Sequence, residues 1–155
     1  MLILTPNAII GWPSFYGVFR RAAVAIGFML KYQRVITIPK STFLLLGARG
    51  TGKSTWLDEQ FANAHLIDLL DEKKYQTLLA NPGLFAEEIA QLEKGRWVVV
   101  DEIQRLPNLL NEVHRLHERE QRMFALCGSS ARKLKRAGVN LLGGRASRLF
   151  MHPFL

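Results

Sequence analysis

The eight residues from Gly47 to Ser54, GARGTGKS, constrain the fold of this chain more than any other stretch. The apolar run TFLLL comes directly before them and predicts a short buried strand, and KSTWLDEQFANA after them predicts a helix. A strand, a glycine-rich turn and a helix in this order satisfy the spacing G-x-x-x-x-G-K-[ST] together with its structural context. That unit is typical of α/β sheets, in which ligands bind at the carboxyl ends of the strands.

Each residue type in this stretch suits a bound phosphate. Glycines let backbone N–H groups approach the β-phosphate without a Cβ in the way, and the helix that follows directs its partial positive end at the anion. We expect Lys53 to reach the β- and γ-phosphates and Ser54 to place its hydroxyl on Mg²⁺. The candidate nucleotide-binding residues are Gly47, Ala48, Arg49, Gly50, Thr51, Gly52, Lys53, Ser54 and Thr55.

Two adjacent carboxylates, Asp101 and Glu102, end the apolar run RWVVVDE, which predicts a buried strand. The two carboxylates repel each other, and burial at the strand end removes water from both. Such a pair is tolerable where one carboxylate faces a cation. Asp101 is therefore the candidate Mg²⁺ ligand, acting through water, and Glu102 is the candidate general base. Phosphoryl transfer to a small molecule has no need of a carboxylate directly after this Asp, so the pair favours hydrolysis.

Small polar residues end another predicted strand, RMFALCGSS, at Ser129 and Ser130. The strand between the loop strand and the acidic strand is expected to end beside the γ-phosphate, where a hydroxyl can orient the attacking water. Both serines are therefore candidate catalytic residues, and a serine turn that caps the next helix explains either one equally well. Arg145, with Arg132 and Arg148, is a candidate to neutralise charge in the transition state.

Apolar and amphipathic stretches alternate along the rest of the chain. HLIDLL and RLFMHPF predict further strands, and LPNLLNEVHRLHERE predicts a helix with one apolar face. Two more helices are predicted around Tyr75–Ala80 and Leu84–Lys94, on either side of an Asn-Pro-Gly turn. Continuous apolar strands joined by helices indicate an α/β fold with a mostly parallel sheet covered by helices on both faces.

Residues 1–28 differ from this pattern, with two prolines, three glycines, no acidic residue and no sustained period. We interpret them as an irregular N-terminal extension. Met29 would then be the natural start, and residues 29–155 would form one ordinary domain.

The formal charge of +8 is concentrated at the two ends of the chain, and residues 121–155 carry seven Lys and Arg and no acid. A basic end can contact nucleic acid or anionic lipid, and it is also typical of a solvated face around a phosphate site. No segment reaches the ~18 apolar residues of a membrane span. The lone cysteine, Cys127, fits a reducing compartment. We expect a cytoplasmic protein.

Three segments, FLLLGARGTGKSTWL, VVVDEIQRLPNLLNEVHRL and LCGSSARKLKRAGVNLLGGRA, together resemble the AAA-type ATP-binding domain of a family of prokaryotic ATPases in the AAA+ superfamily. The resemblance runs from about Met29 to Leu155. It implies a P-loop NTPase core of the ASCE type. Members usually continue into a C-terminal domain of unknown function, whereas this sequence stops at Leu155. We therefore expect the helical lid and the partner domain to be missing here.

The resemblance also implies roles for particular residues. It places Walker A at Gly47–Ser54, Walker B at Val98–Glu102, and a sensor-like position at Ser129 and Ser130. Arg145 corresponds to an arginine finger.

The first interpretation is therefore Mg²⁺-dependent ATP binding with ATP hydrolysis, and two others stay open. A binding-only module would hold the nucleotide but need a second copy or a partner to supply an arginine or a lid. A nucleic-acid-binding protein would use Lys133, Lys135 and Arg136, although no aromatic residues lie among residues 131–148 to form a stacking platform. The absence of an N-K-x-D base-reading motif favours ATP over GTP.

Overall fold

The computed structural model describes residues 34–129, 134 and 146–153. The chain divides into two units, Met1–Val35 and Ile36–Leu155, and the strands and helices of the described residues all lie in the second. The expected extension of residues 1–28 and the start at Met29 lie outside the described residues and stay predictions.

Strands and helices alternate through the described residues, as the sequence predicts. The strands are β1 (Phe43–Leu46), β2 (His65–Asp68), β3 (Trp97–Asp101), β4 (Met123–Gly128) and β5 (Ser147–Phe150). The α-helices are α1 (Lys53–Gln60), α2 (Glu72–Ala80), α3 (Gly83–Ala90) and α4 (Leu109–Glu120), and a 3₁₀ turn covers Ile103–Arg105. All the strand pairs among these residues are parallel, which confirms the predicted α/β class.

The strand order of this sheet is β2-β3-β4-β1-β5. The order places β4 between β1, which leads into the glycine-rich loop, and β3, which ends in the acidic pair. Leu46 at the end of β1 is level with Gly128 on β4, and Val100 on β3 is level with Leu126. Because parallel strands all point the same way, the segments after β1, β3 and β4 emerge side by side at one edge of the sheet.

Helices cover both faces of the sheet, and each face has its own apolar core. The larger core lies under α2, α3 and α4 and includes Leu78, Phe85 and Val113. The smaller core lies under α1 and includes Phe43 and Trp56. Side chains alternate between these two cores along the three central strands, β1, β3 and β4, which is the period of two that the pleat imposes.

An aromatic cluster holds α1 against the sheet. Trp56 on α1 and Phe61 just after it pack around Phe43 of β1 and Trp97 of β3, with ring centroids 5.0–6.5 Å apart. Truncating a buried aromatic side chain to Ala costs about 3–5 kcal/mol. The cluster therefore fixes the helix whose first turn belongs to the glycine-rich loop.

Two helices are shorter than the sequence predicts. Helix α1 ends at Gln60 because Phe61 leaves helical geometry (φ −124°, ψ 41°) while its ring packs 5.0 Å from Trp97. Helix α3 ends at Ala90 rather than near Lys94. There the buried Arg122 donates from Nη1 to the carbonyls of Leu92 and Glu93, each at 2.9 Å, which satisfies two carbonyl groups of the irregular segment that follows the helix.

The reactivity of the single cysteine tests whether the core under α1 excludes solvent. Cys127 is fully buried on β4. Burial, and secondly the negative charge of Asp101, raise the pKa of its thiol well above the ordinary value, so it stays protonated near neutral pH. We expect a thiol-specific disulfide reagent at pH 8 to modify the folded protein at least ~100-fold more slowly than the unfolded protein. Equal rates would contradict this packing.

Candidate functional site

The glycine-rich loop takes the conformation that its glycines allow. Gly50 and Gly52 have positive φ values, 76° and 85°, in the left-handed region that other residues avoid. Gly52 is also the N-cap of α1, and it has no side chain to accept hydrogen bonds from the first-turn N–H groups. Those N–H groups are left to an anion, whose charge the helix dipole would also favour.

Lys53 points back into this loop. Its ammonium donates hydrogen bonds to the carbonyl oxygens of Gly47 and Ala48 at 2.7 and 2.8 Å, and the residue is only 5% exposed. The hydroxyl of Thr51 donates to the same Ala48 carbonyl at 2.9 Å. A buried positive charge thus lies inside the loop, where a phosphate oxygen would be a stronger acceptor than a neutral carbonyl.

Ser54 and Asp101 meet under the start of α1. The Ser54 Oγ donates to the Asp101 Oδ2 at 2.7 Å, although the two residues are 47 positions apart. Asp101 is 6% exposed and points to the α1 face of the sheet, because that is the face to which Val99, two residues earlier, also points. The arrangement joins a hydroxyl and a carboxylate, both hard oxygen donors of the kind that Mg²⁺ takes.

Glu102 lies directly after β3 in an unusual backbone conformation. Its φ and ψ are 54° and 42°, in the left-handed region, and its N–H donates to the Asp101 Oδ1 at 2.9 Å. The side chain is 8% exposed, and the Ser129 hydroxyl donates to its Oε2 at 3.0 Å. A non-glycine residue in this region is strained and points to a functional constraint.

These segments border a cleft of about 630 Å³ at the carboxyl edge of the sheet. The glycine-rich loop, the segment after β2, the acidic turn and the end of β4 each supply part of its wall. The lining residues are Ala48, Arg49, Leu70, Glu102, Gln104, Arg105 and Ser129.

The structure brings most of the residues singled out by the sequence to one place. Gly47 to Thr55, Asp101, Glu102 and Ser129 all lie at the carboxyl edge of the sheet or in the first turn of α1. Ser130, Arg132 and Arg145 lie outside the described residues and stay predictions. Arg148 pairs with Leu44 on β1, two residues before β1 ends, and not with the loop.

Two polar residues of the cleft were not predicted from the sequence. Gln104 bonds to both Glu102 and Ser129. Arg105 donates to the Leu69 carbonyl at 2.7 Å and to Glu72 at 2.9 Å. The one feature of the sequence that could have indicated them is their place in the chain, because both follow the acidic pair within three residues.

A family model described as an AAA domain matches residues 39–155, about three quarters of the chain. The chain belongs to this family. No curated protein matches it. Membership confirms the resemblance drawn from the three motifs, and it indicates a nucleotide-binding function of the ATPase type for this AAA domain.

Two further observations concern the described part of the AAA domain. None of its helices has both the length and the apolar character needed to cross a bilayer. Within the same residues there is no cluster of three or more His, Cys, Asp or Glu side chains that would hold a metal ion. A Mg²⁺ ion at Ser54 and Asp101 would take its remaining ligands from phosphate oxygens and water, as this ion usually does.

The left-handed backbone of Glu102 predicts an inverted stability order for one pair of substitutions. Both Glu102→Ala and Glu102→Gly remove the side chain, and Gly alone adopts a positive φ without strain. We expect the Gly variant to be more stable than the Ala variant by about 0.5–1 kcal/mol in urea unfolding. The same pair at Glu87, an exposed position within α3, serves as control and should show the usual order, with Ala the more stable. If the Ala variant is more stable than the Gly variant at position 102, the inferred backbone strain is contradicted.

Proposed function

We propose that this AAA domain binds ATP with Mg²⁺ and hydrolyses the bond to its γ-phosphate. The observation that carries the proposal is the convergence of three side chains at the end of the glycine-rich loop. Ser54 lies within 2.7 Å of Asp101, and Glu102 follows directly on the same edge of the sheet. A hydroxyl and a carboxylate suited to Mg²⁺, beside a second carboxylate suited to a water molecule, form the set that hydrolysis needs.

Residues 47–55 would bind the triphosphate. Backbone N–H groups of the loop and of the first turn of α1 would donate to the anion, and Lys53 would exchange its two carbonyl acceptors for β- and γ-phosphate oxygens. Its low exposure makes this exchange favourable, because a buried ammonium gains more from a charged acceptor than from neutral ones.

Ser54 and Asp101 fit a magnesium ion. Both present oxygen donors, and the hydrogen bond between them shows that a hydroxyl and a carboxylate approach one small volume. Mg²⁺ bound there would neutralise charge that develops on the β- and γ-phosphate oxygens. Ser54 would be the direct ligand, and Asp101 would orient the bound water molecules.

Glu102 would act as the general base. Its carboxylate would take a proton from the attacking water as the water oxygen bonds to the γ-phosphorus, while the bond to the bridging oxygen breaks and ADP leaves. The hydroxyl of Ser129, 3.0 Å from the Glu102 Oε2, would help to hold that carboxylate and the water.

Glutamine at position 102 tests this assignment. Glu102→Gln keeps the shape and loses the base, so we expect phosphate release to fall by about 10²-fold or more while ATP affinity is retained. The control is Glu87→Gln, the same change at an exposed position on α3. Steady-state phosphate release and ATP titration are measured for the three proteins, wild type and both variants, against a reagent blank.

Two outcomes would overturn parts of the proposal. If Glu102→Gln hydrolyses ATP as fast as wild type, Glu102 is not the base. If wild type binds ATP and releases no phosphate, the chain is the binding-only module, which waits for an arginine or a lid from a second copy or a partner. Arg145 belongs to that question and stays a prediction.

Location and other partners belong to the proposal as well. A cytoplasmic location is supported by the single free thiol, Cys127, which suits a reducing compartment. Nucleic acid stays a predicted partner, because Lys133, Lys135 and Arg136 lie outside the described residues.

A further inference from the structure

Gln104 forms a closed set of hydrogen bonds with the two polar residues nearest to it. Its Nε2 donates to the Glu102 Oε2 and, at 2.9 Å, to the Ser129 Oγ. Its Oε1 accepts from the Ser129 backbone N–H at 3.2 Å. The Ser129 hydroxyl completes the ring by donating to the same Glu102 oxygen.

The orientation of the Gln104 amide follows from its partners. A backbone N–H can only donate, so the atom that faces the Ser129 N–H must be the oxygen. The NH₂ group is then on the side of the Glu102 carboxylate, which accepts. A flipped amide would place an oxygen against a carboxylate and a donor against a donor, so this arrangement is the one that satisfies all partners.

Gly128, at the end of β4, makes room for this amide. A Cβ built on Gly128 would lie 2.7 Å from the Gln104 Oε1, closer than real contacts allow. Gln104 itself comes from the 3₁₀ turn after β3. The amide thus connects the ends of two adjacent strands at a place where β4 lacks a side chain.

Both donors converge on one oxygen of Glu102. Among the described residues, Gln104 and Ser129 donate to Oε2, which leaves Oε1 as the oxygen that can accept a proton from water. A carboxylate on an exposed turn would sample several rotamers. Two donors to one oxygen restrict the carboxylate to one rotamer. Because the carboxylate is oriented before the reaction begins, no free energy is spent on orienting it during the reaction.

We propose that Gln104 is a positioning residue that holds the Glu102 carboxylate beside Ser129, where it takes a proton from the water that attacks the γ-phosphate. The inference rests on the proposed ATP hydrolysis. Gln104 acts through Glu102, so we expect its loss to lower the rate of the chemical step and to leave ATP binding as it is.

Methionine at position 104 is the sharpest test. Gln104→Met keeps the length and loses the amide, and we expect kcat to fall about ten- to hundred-fold with the Kd for ATP unchanged, because a carboxylate displaced by about 1 Å loses rate to that extent. The matched control is Gln76→Met, which removes an amide that donates to Glu72 at an exposed position of α2 and should leave kcat unaltered. A wild-type kcat in Gln104→Met would overturn the proposal.

A double substitution separates positioning from general stabilisation. Since Gln104 acts through Glu102, adding Gln104→Met to Glu102→Gln should lower the residual rate no further. A further ten-fold fall, or a weaker Kd for ATP in the single variant, would assign Gln104 a structural role and contradict the inference. Gly128→Ala is a second variant that displaces the amide without removing a polar group, and it should reduce kcat in the same direction.

A spectroscopic readout keeps the inference testable even if the chain does not turn over ATP. The side-chain amide signals of Gln104 are those that vanish in Gln104→Met in a ¹⁵N–¹H spectrum. We expect one of its protons to be shifted downfield by the charged acceptor, and that shift to be lost in Glu102→Ala and changed in Ser129→Ala. Unmoved Gln104 signals in both variants would overturn the contact. If the chain binds ATP and releases no phosphate, the proposed hydrolysis is contradicted. The amide signals then still show whether Gln104 contacts Glu102.

Discussion

The hydrogen bond between Ser54 and Asp101 is the contact on which the arrangement of the site depends. It joins the first turn of α1 to the end of β3 at 2.7 Å, across a separation of 47 residues. Packing holds each of the two partners in place. Ser54 is fixed because Trp56, on the same helix, is packed into the aromatic cluster on β1 and β3, and Asp101 is fixed because β3 lies between β2 and β4 in the sheet. A buried carboxylate is costly unless it is hydrogen-bonded, so packing and polar satisfaction support the same geometry.

The strand order explains why the remaining polar residues come to this contact. With β4 between β1 and β3, the residue after Gly128 emerges beside the acidic pair, and Ser129 reaches Glu102. The left-handed turn at Glu102 then directs the chain into the 3₁₀ turn that carries Gln104 back toward β4. Backbone strain at one residue thus accompanies a ring of hydrogen bonds that holds the candidate base, which is the pattern expected where strain serves a function.

Much of this could be predicted from the sequence, for identifiable reasons. The glycine-rich loop, the acidic strand end and the parallel α/β class each depend on local residue types and on a short period, and the structure has all three where the sequence placed them. The positive φ of Glu102 could not be predicted, because nothing in an Asp-Glu pair requires it. Gln104 could not be predicted for a similar reason, since its partner Ser129 lies 25 positions away, just after another strand, and its space depends on the missing Cβ of Gly128. The early end of α1 depended on where the Phe61 ring packs.

The most direct test of the account is the dependence of ATP binding on Mg²⁺, measured by calorimetry for wild type, Asp101→Asn and Lys53→Ala. Asn keeps an oxygen for the Ser54 hydroxyl and loses the charge. We expect Mg²⁺ to tighten ATP binding to wild type. Asp101→Asn should bind ATP without Mg²⁺ yet lose most of that gain, and Lys53→Ala should lose binding in both conditions. A hydrogen bond to a charged group is worth ~1.5–3 kcal/mol, about a ten- to hundred-fold change in Kd for each loss. An unchanged Mg²⁺ effect in Asp101→Asn, or unchanged ATP affinity in Lys53→Ala, would contradict the account.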